Sequence, residues 1–264
     1  MPDVETPTLT EIPQGELGTA AMLLPDTPWA TTAAQACERR TARMWVDSRK
    51  RTQALAILVP GTPDEATPPA AYLFGSDAPP DALVAFAAGL PRPVELICDD
   101  DVGEALAAAV PEATVRDHSV HWFESLDAVA RPTREGLRRL RLNDADAVEA
   151  LQVPGLLRVL SSAKDVLMIG GAYGLFEEDR LVSAAFTVDL SVNYARVLPF
   201  TVEDRRREGL APAVAQRLIS SHHEQGRMAC MLVEDRDSRM EAFARTVGFE
   251  VAANTGAARE GIIA

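Results

Sequence analysis

Apolar residues recur along this chain in two alternating rhythms: short continuous runs, and stripes spaced three and four residues apart. Ala54–Val59, Ala70–Phe74 and Val94–Cys98 are runs bounded by Pro, Gly and Asp, the pattern of buried strands, with Pro60–Pro69 as a turn. Leu83, Phe86, Ala87 and Leu90 follow Pro80-Asp81 at helical spacing. Asp99 to Asp101 supply an N-cap and favourable dipole charge for a helix over 102–110, and Val115–Phe123 reads as a strand. After a linker at Arg131-Pro132-Thr133 the alternation resumes. A strand is expected at Leu137–Leu142, then a helix capped by Asn143 or Asp144, and a second short helix at Leu156–Leu160. Ala172–Glu177, Leu181–Val188 and Tyr194–Thr201 read as three successive strands, the first two joined at a charged hairpin tip. Leu210, Val214 and Leu218 form the stripe of a long helix that stops at Gln225-Gly226. Met228–Val233 is a strand, Asp237 caps a helix carrying Met240, Phe243, Ala244 and Val247, and Phe249–Ala252 begins a last strand.

Charge narrows the functional classes. The net charge of −13 excludes a general nucleic-acid binder, which needs a basic footprint. Length suits one large domain or two modest ones, and no apolar run approaches the ~20 residues that span a bilayer. Met1 to Gly18 has no basic stretch of the signal-peptide kind, and Cys37, Cys98 and Cys230 have no metal-ligand spacing, so a reducing cytoplasm is expected. Residues 1–28 read as flexible or loosely packed. Asp99 to Asp101 do not converge as metal ligands do, and no metal is expected. His118 and His121 fall on opposite faces of a strand, while His222 and His223 end the long helix, where a protonated imidazole favours the dipole.

Against this acidic background, Arg205, Arg206 and Arg207 stand between a strand and a helix, followed by Gly209. Helix starts carry unpaired amides and a positive dipole end, and glycine lets a ligand approach main chain closely, so the junction suits a phosphate. No Gly-Lys-Ser/Thr follows, which excludes a nucleotide P-loop, and the three-glycine dinucleotide spacing is absent. Arg206-x-x-Gly209-x-Ala211 resembles the acyl-CoA pyrophosphate loop of the GNAT superfamily of N-acetyltransferases. The segment Asp237 to Phe249 resembles the family's Asn-x6-Tyr-x3-Gly-Phe stretch, and Thr201, five residues before Arg206, matches a two-part subgroup. Met44 to Ser48, the Ala54 strand and Tyr72 to Gly75 resemble that subgroup's truncated first lobe.

The resemblance implies an α/β (α+β) chain. A GNAT fold with a mixed central sheet and flanking helices would occupy residues 134–264, preceded by a smaller truncated GNAT-like α/β lobe over 29–130. It implies acetyl transfer from acetyl-CoA, a co-substrate, to a small primary amine by direct attack, without nucleic acid or membrane as partner. The CoA-binding set would be Phe200, Thr201, Val202, Arg206, Arg207, Glu208, Gly209, Leu210, Ala211 and Asp237. A strand amide near Phe200 to Val202 would stabilise the oxyanion. The family's general-acid Tyr falls at Ala244 and its Asn at Asp237, so no catalytic residue is assigned. Glu177, Glu178, Asp179, Glu203 and Asp204 are carboxylates near the loop. A second expectation follows from the two departures: a weak or inactive GNAT-fold protein that binds acyl-CoA as a sensor or interaction module. The acceptor and the oligomeric state are not readable from the sequence.

Overall fold

The computed structural model describes residues 8–47, 54–61, 68–75, 81–110, 113–124, 131–154, 156, 162–169, 171–233, 237–251 and 258–263. The chain packs as two compact units, Met1–Val120 with Asn254–Ala264, and His121–Ala253.

The first unit contains strands β1 (Leu9–Glu11), β2 (Arg43–Asp47), β3 (Ala54–Val59), β4 (Ala70–Gly75), β5 (Val94–Cys98) and the start of β6 (Ala113–Glu124), with helices α1 (Leu17–Ala20), α2 (Thr31–Glu38), α3 (Asp81–Ala88) and α4 (Asp100–Ala109). Among the described residues of this unit only the β4–β5 pair is parallel, as a crossover through α3 requires. Leu83, Ala87, Val102 and Leu106 of the two helices bury against Ala54, Ala56, Leu73 and Leu96 of the sheet. Trp45 is half-buried within β2, its ring 4.7 Å from that of Phe86. Residues 8–28, expected to be loosely packed, are folded. β1 pairs with β2, Leu17 is 0% exposed, and nearby Trp29 stacks on Phe74 at 4.3 Å. Prolines and acids in that stretch concealed one strongly buried leucine.

The second unit contains β7 (Leu137–Arg139), α5 (Ala145–Ala150), α6 (Ala163–Ile169), β8 (Ala172–Glu177), β9 (Arg180–Leu190), β10 (Tyr194–Thr201), α7 (Leu210–Glu224), β11 (Met228–Val233), α8 (Ser238–Thr246) and β12 (Glu250–Val251). Its sheet runs β7-β8-β9-β10-β11 and ends on residues 121–124 of β6, which also pair with β12. All these pairs are antiparallel except β10–β11. One core buries Leu210, Val214, Leu218 and Ile219 of α7 with Ala244 of α8 and Val247 just beyond its end. The other packs Val148, Val166 and Leu167 of α5 and α6 against Leu181, Ala184 and Phe186 of β9. The sheet is therefore covered on both faces.

Several boundaries differ from the expected ones. A helix that was not expected, α6, begins at Ala163; of the expected Leu156–Leu160 helix, residues 157–160 lie outside the described residues, as does most of the Pro60–Pro69 turn. The first strand of the second unit stops at Arg139, because Leu142–Asp144 turns into a 3-10 helix. The expected division at residues 131–133 is replaced by one at 120/121. A strand missed in the sequence, β13 (Ala258–Ile263), pairs with β5 and with residues 113–120 of β6, which places the C-terminal segment in the first unit. Asp99 flanks α4 without a side-chain cap bond; its carboxylate instead accepts the Gly75 amide at 2.8 Å.

Candidate functional site: a parted strand pair beside a helix start

β10 and β11 run side by side for three residue pairs only, from Tyr194↔Met228 to Arg196↔Cys230. β10 then continues for five residues against β9 alone, while β11 continues against β6. The β9–β10 register slips between Arg196 and Val197, the point at which β11 is lost. The slip leaves Val188 as an extra residue on β9, and a bulge of this kind bends a strand pair away from its neighbours. A gap thus opens in the middle of a sheet.

Hydrogen bonds fix which main-chain groups face that gap. The Met228 amide donates to the Asn193 carbonyl at 2.8 Å, and the Val202 amide donates to the Val182 carbonyl at 3.0 Å. Alternation along the strand then turns the odd-numbered residues 193–201 toward β11 and the even-numbered ones toward β9. Thr201 therefore presents its amide and carbonyl to the gap, whereas Phe200 and Val202 direct theirs at β9. Of the expected stretch Phe200 to Val202, Thr201 is thus the residue whose amide faces the gap. The Phe200 carbonyl also accepts the Ser183 hydroxyl at 3.0 Å, and Ser183 Oγ meets Thr201 Oγ1 at 2.8 Å. Residues 198, 200 and 202 instead contribute side chains to the α5–α6 core.

The gap ends at the arginine-rich turn. Glu203–Arg205 forms one 3-10 turn, Arg207 has φ +68°, and Gly209 flanks α7 at φ +73° with no side-chain cap. Among the described residues, no hydrogen bond engages the amides of Arg207, Glu208, Gly209, Leu210 or Ala211. Pro212, in the first turn of α7, has no N–H to satisfy. A Cβ on Gly209 would meet nothing within 4 Å, so the space beside this glycine is open. The donors fit a diphosphate: several unpaired N–H groups at a positive dipole end, with clearance for close approach.

The arginines divide into two roles. Arg205 pairs with Glu177 and, through Nη2 at 2.7 Å, with Glu208; its hydrogen bond holds the Glu208 carboxyl below the usual range. Asp204 accepts both terminal guanidinium nitrogens of Arg180, at 2.8 and 3.0 Å, with the same effect on its carboxyl. The hairpin tip of β8–β9 is thereby tied to the loop, and two of the five carboxylates near the loop, Glu177 and Asp204, are engaged by arginine. Arg206 is exposed, its amide bonded to the Glu203 carbonyl at 3.3 Å and its Nε to the Thr201 carbonyl at 3.4 Å. Arg206 and Arg207 thus keep exposed guanidinium groups beside the loop.

The second landmark serves the helix it opens. Asp237 Oδ1 accepts the amides of Arg239 and Met240 at 3.2 and 3.1 Å, a cap for α8. Ala244 is 0% exposed, packed within the α7–α8 core. A cavity of about 960 Å³ is lined by Arg134, Glu135, Arg138, Asp144, Phe176 and Glu177, among others. It lies at the β7–β8 edge, with β9 between it and β10, and is separate from the gap.

His222 departs from its expected role as a dipole-stabilising cation. It is 1% exposed, and its Nε2 meets Thr187 Oγ1 at 2.8 Å. Burial, reinforced by Arg227, His223 and Arg139, lowers its pKa to about 4, so the ring is neutral.

A β-α-α-β-β-β-α-β-α-β unit with a parted parallel pair and a glycine-started helix is the GNAT fold, here preceded by a GNAT-like α/β unit. No protein-family model and no curated protein matches the chain. Solved structures match it over nearly its whole length. A GNAT-family acetyltransferase from Colwellia psychrerythraea is 10% identical with a TM-score of 0.63, covering 97% of this chain and 98% of its own. A GCN5-related N-acetyltransferase from Sphaerobacter thermophilus is 13% identical at 0.61, covering 99% and 95%. A tandem GNAT protein from the clavulanic acid biosynthesis pathway is 14% identical at 0.58, covering 97% of each chain. At these identities the likeness establishes the fold.

Proposed function

We propose that this chain is an N-acetyltransferase that moves an acetyl group from acetyl-CoA to a small primary amine by direct attack. The observation that carries the reading is the parting of β10 from β11 directly beside a helix start whose amides are unbonded. The amides of Arg207 to Ala211 hold the pyrophosphate, with the Arg206 and Arg207 guanidinium groups beside it. Thr201 pairs with the pantetheine arm as one residue of an added strand. The acceptor nitrogen bonds to the thioester carbon, the carbonyl electrons collect on oxygen, and collapse of that intermediate expels the CoA thiolate. The ammonium proton passes to water or a carboxylate. The net charge of −13 favours a cationic acceptor.

Release of free thiol from acetyl-CoA, followed across a panel of amines, tests the activity; amine-dependent release is the expected result. A second reading, an acyl-CoA sensor without turnover, is favoured by Ala244, which places no phenol where the resembling family has its acid, and by the capping role of Asp237. Binding of acetyl-CoA without release for any amine would establish that reading instead.

The two units differ in the same element. β4 pairs with β5 along four of its six residues, and its last residue, Gly75, gives its amide to Asp99. Titration calorimetry is therefore expected to count one acetyl-CoA per chain. A stoichiometry of two would assign a site to the first unit as well.

A further inference from the structure

The gap is bounded by a strand with an uneven set of main-chain groups. Beyond the last β10–β11 pair at Arg196↔Cys230, the residues of β10 that face the gap are 197, 199 and 201. A parallel pair at Arg196 and Cys230 is bridged through the main chain of the flanking residues Ala195 and Val197, so the Val197 amide closes the last rung. The next residue facing the gap is Pro199, which has no N–H. Proline inside a central strand ordinarily removes a ladder bond; it is tolerated here because the strand that would need the donor has left. The gap edge of β10 thus offers the carbonyls of Val197, Pro199 and Thr201 but only one amide, that of Thr201. Of these three carbonyls, that of Thr201 is already in contact with Arg206 Nε at 3.4 Å.

We infer that residue 199 sets how firmly this chain holds the carbonyl groups of a CoA thioester, and that Pro199 keeps that hold weak by deleting the donor midway along the arm. The inference rests on the gap being the thioester site. An arm laid along β10 presents two amide carbonyls and then the thioester carbonyl, and each one opposite residue 199 meets no main-chain donor. The amides of Phe200 and Leu198 cannot substitute, because they point toward β9. Residue 199 is a positioning residue whose effect is read on ligand carbonyls rather than on the fold.

The test uses the full chain and its Pro199→Ala variant, with binding of acetyl-CoA measured by calorimetry. A new amide facing the gap is expected to tighten acetyl-CoA roughly 5-fold, the ordinary worth of one hydrogen bond. Two controls separate this from a general loosening of the strand. Affinity for 3′-phosphoadenosine 5′-diphosphate, which is coenzyme A without its arm, is expected to be the same in both proteins. Among analogues in which one of the three carbonyls is replaced by methylene, one is expected to lose the gain, which identifies the partner. Unchanged or weakened acetyl-CoA binding in the variant, or an equal gain for every ligand, overturns the inference while leaving the thioester site in place. If neither protein binds acetyl-CoA or the armless diphosphate, the site assignment itself fails and the inference falls with it.

Discussion

Gly209→Trp is expected to reduce acetyl-CoA affinity by at least ~100-fold, the loss of two or more charge-assisted hydrogen bonds. Gly209 has φ +73° and ψ 19°, and a Cβ placed there meets nothing within 4 Å. The Cβ itself therefore has room, and the indole it carries is expected to fill the approach to the amides of residues 207–211. The fold loses only the left-handed backbone term, about 1–2 kcal/mol. Gly209→Asn, which tolerates that conformation better, is the companion variant: near-native thermal stability with a smaller loss of binding. Calorimetry and thermal melting of the three proteins check both halves of the prediction. Native affinity in the tryptophan variant would remove the loop from the site.

Acid should destabilise the second unit through His222. The folded pKa is about 4, below the ordinary 6.5, because the ring is buried and faces Arg227, His223 and Arg139. Above pH 6.5 the ring is neutral whether the chain is folded or not, and its contribution is fully present. As pH falls through 6.5 the unfolded chain takes up a proton that the folded chain refuses, so stability drops until pH reaches about 4. The whole effect is about 3 kcal/mol, spread over that window. His222→Gln, which cannot titrate, should flatten the fall in urea midpoint between pH 7 and pH 4.5 relative to the native chain. The same slope in both proteins would place the acid sensitivity elsewhere, and direct titration of the ring resonances would then show an ordinary pKa.

The histidine also illustrates what sequence reading lacks. At the end of a helix a protonated imidazole is locally favourable at both His222 and His223, although His222, four residues after Leu218, continues the apolar stripe. What periodicity could not supply is the partner: α7 lies on β9 and brings Thr187 beside His222. The arginines repeat the lesson. Arg205, Arg206 and Arg207 are equivalent in the sequence, yet among the described residues the β8–β9 hairpin engages Arg205 alone of the three, through Glu177. Asp237 matched a ligand position by spacing, while its carboxylate caps α8. The buried stripe of α7, by contrast, was legible from Leu210, Val214 and Leu218 alone, since helical periodicity is a local property.

What the amino-acid sequence determined by itself is the succession of strands and helices in the second unit and the character of its glycine-started helix. Those depend on periodicity, on residues that lack a Cβ or an N–H, and on charge, all of which act over a few neighbours. Tertiary structure alone decided that β11 leaves β10 after Arg196, that Pro199 and Thr201 face the gap while Phe200 and Val202 do not, and that the C-terminal strand returns to the first unit. Strand pairing joins residues distant along the chain, and a one-residue change of register reverses every group on a strand. No local pattern carries that information, so the site's polarity emerges only when the strands are set side by side.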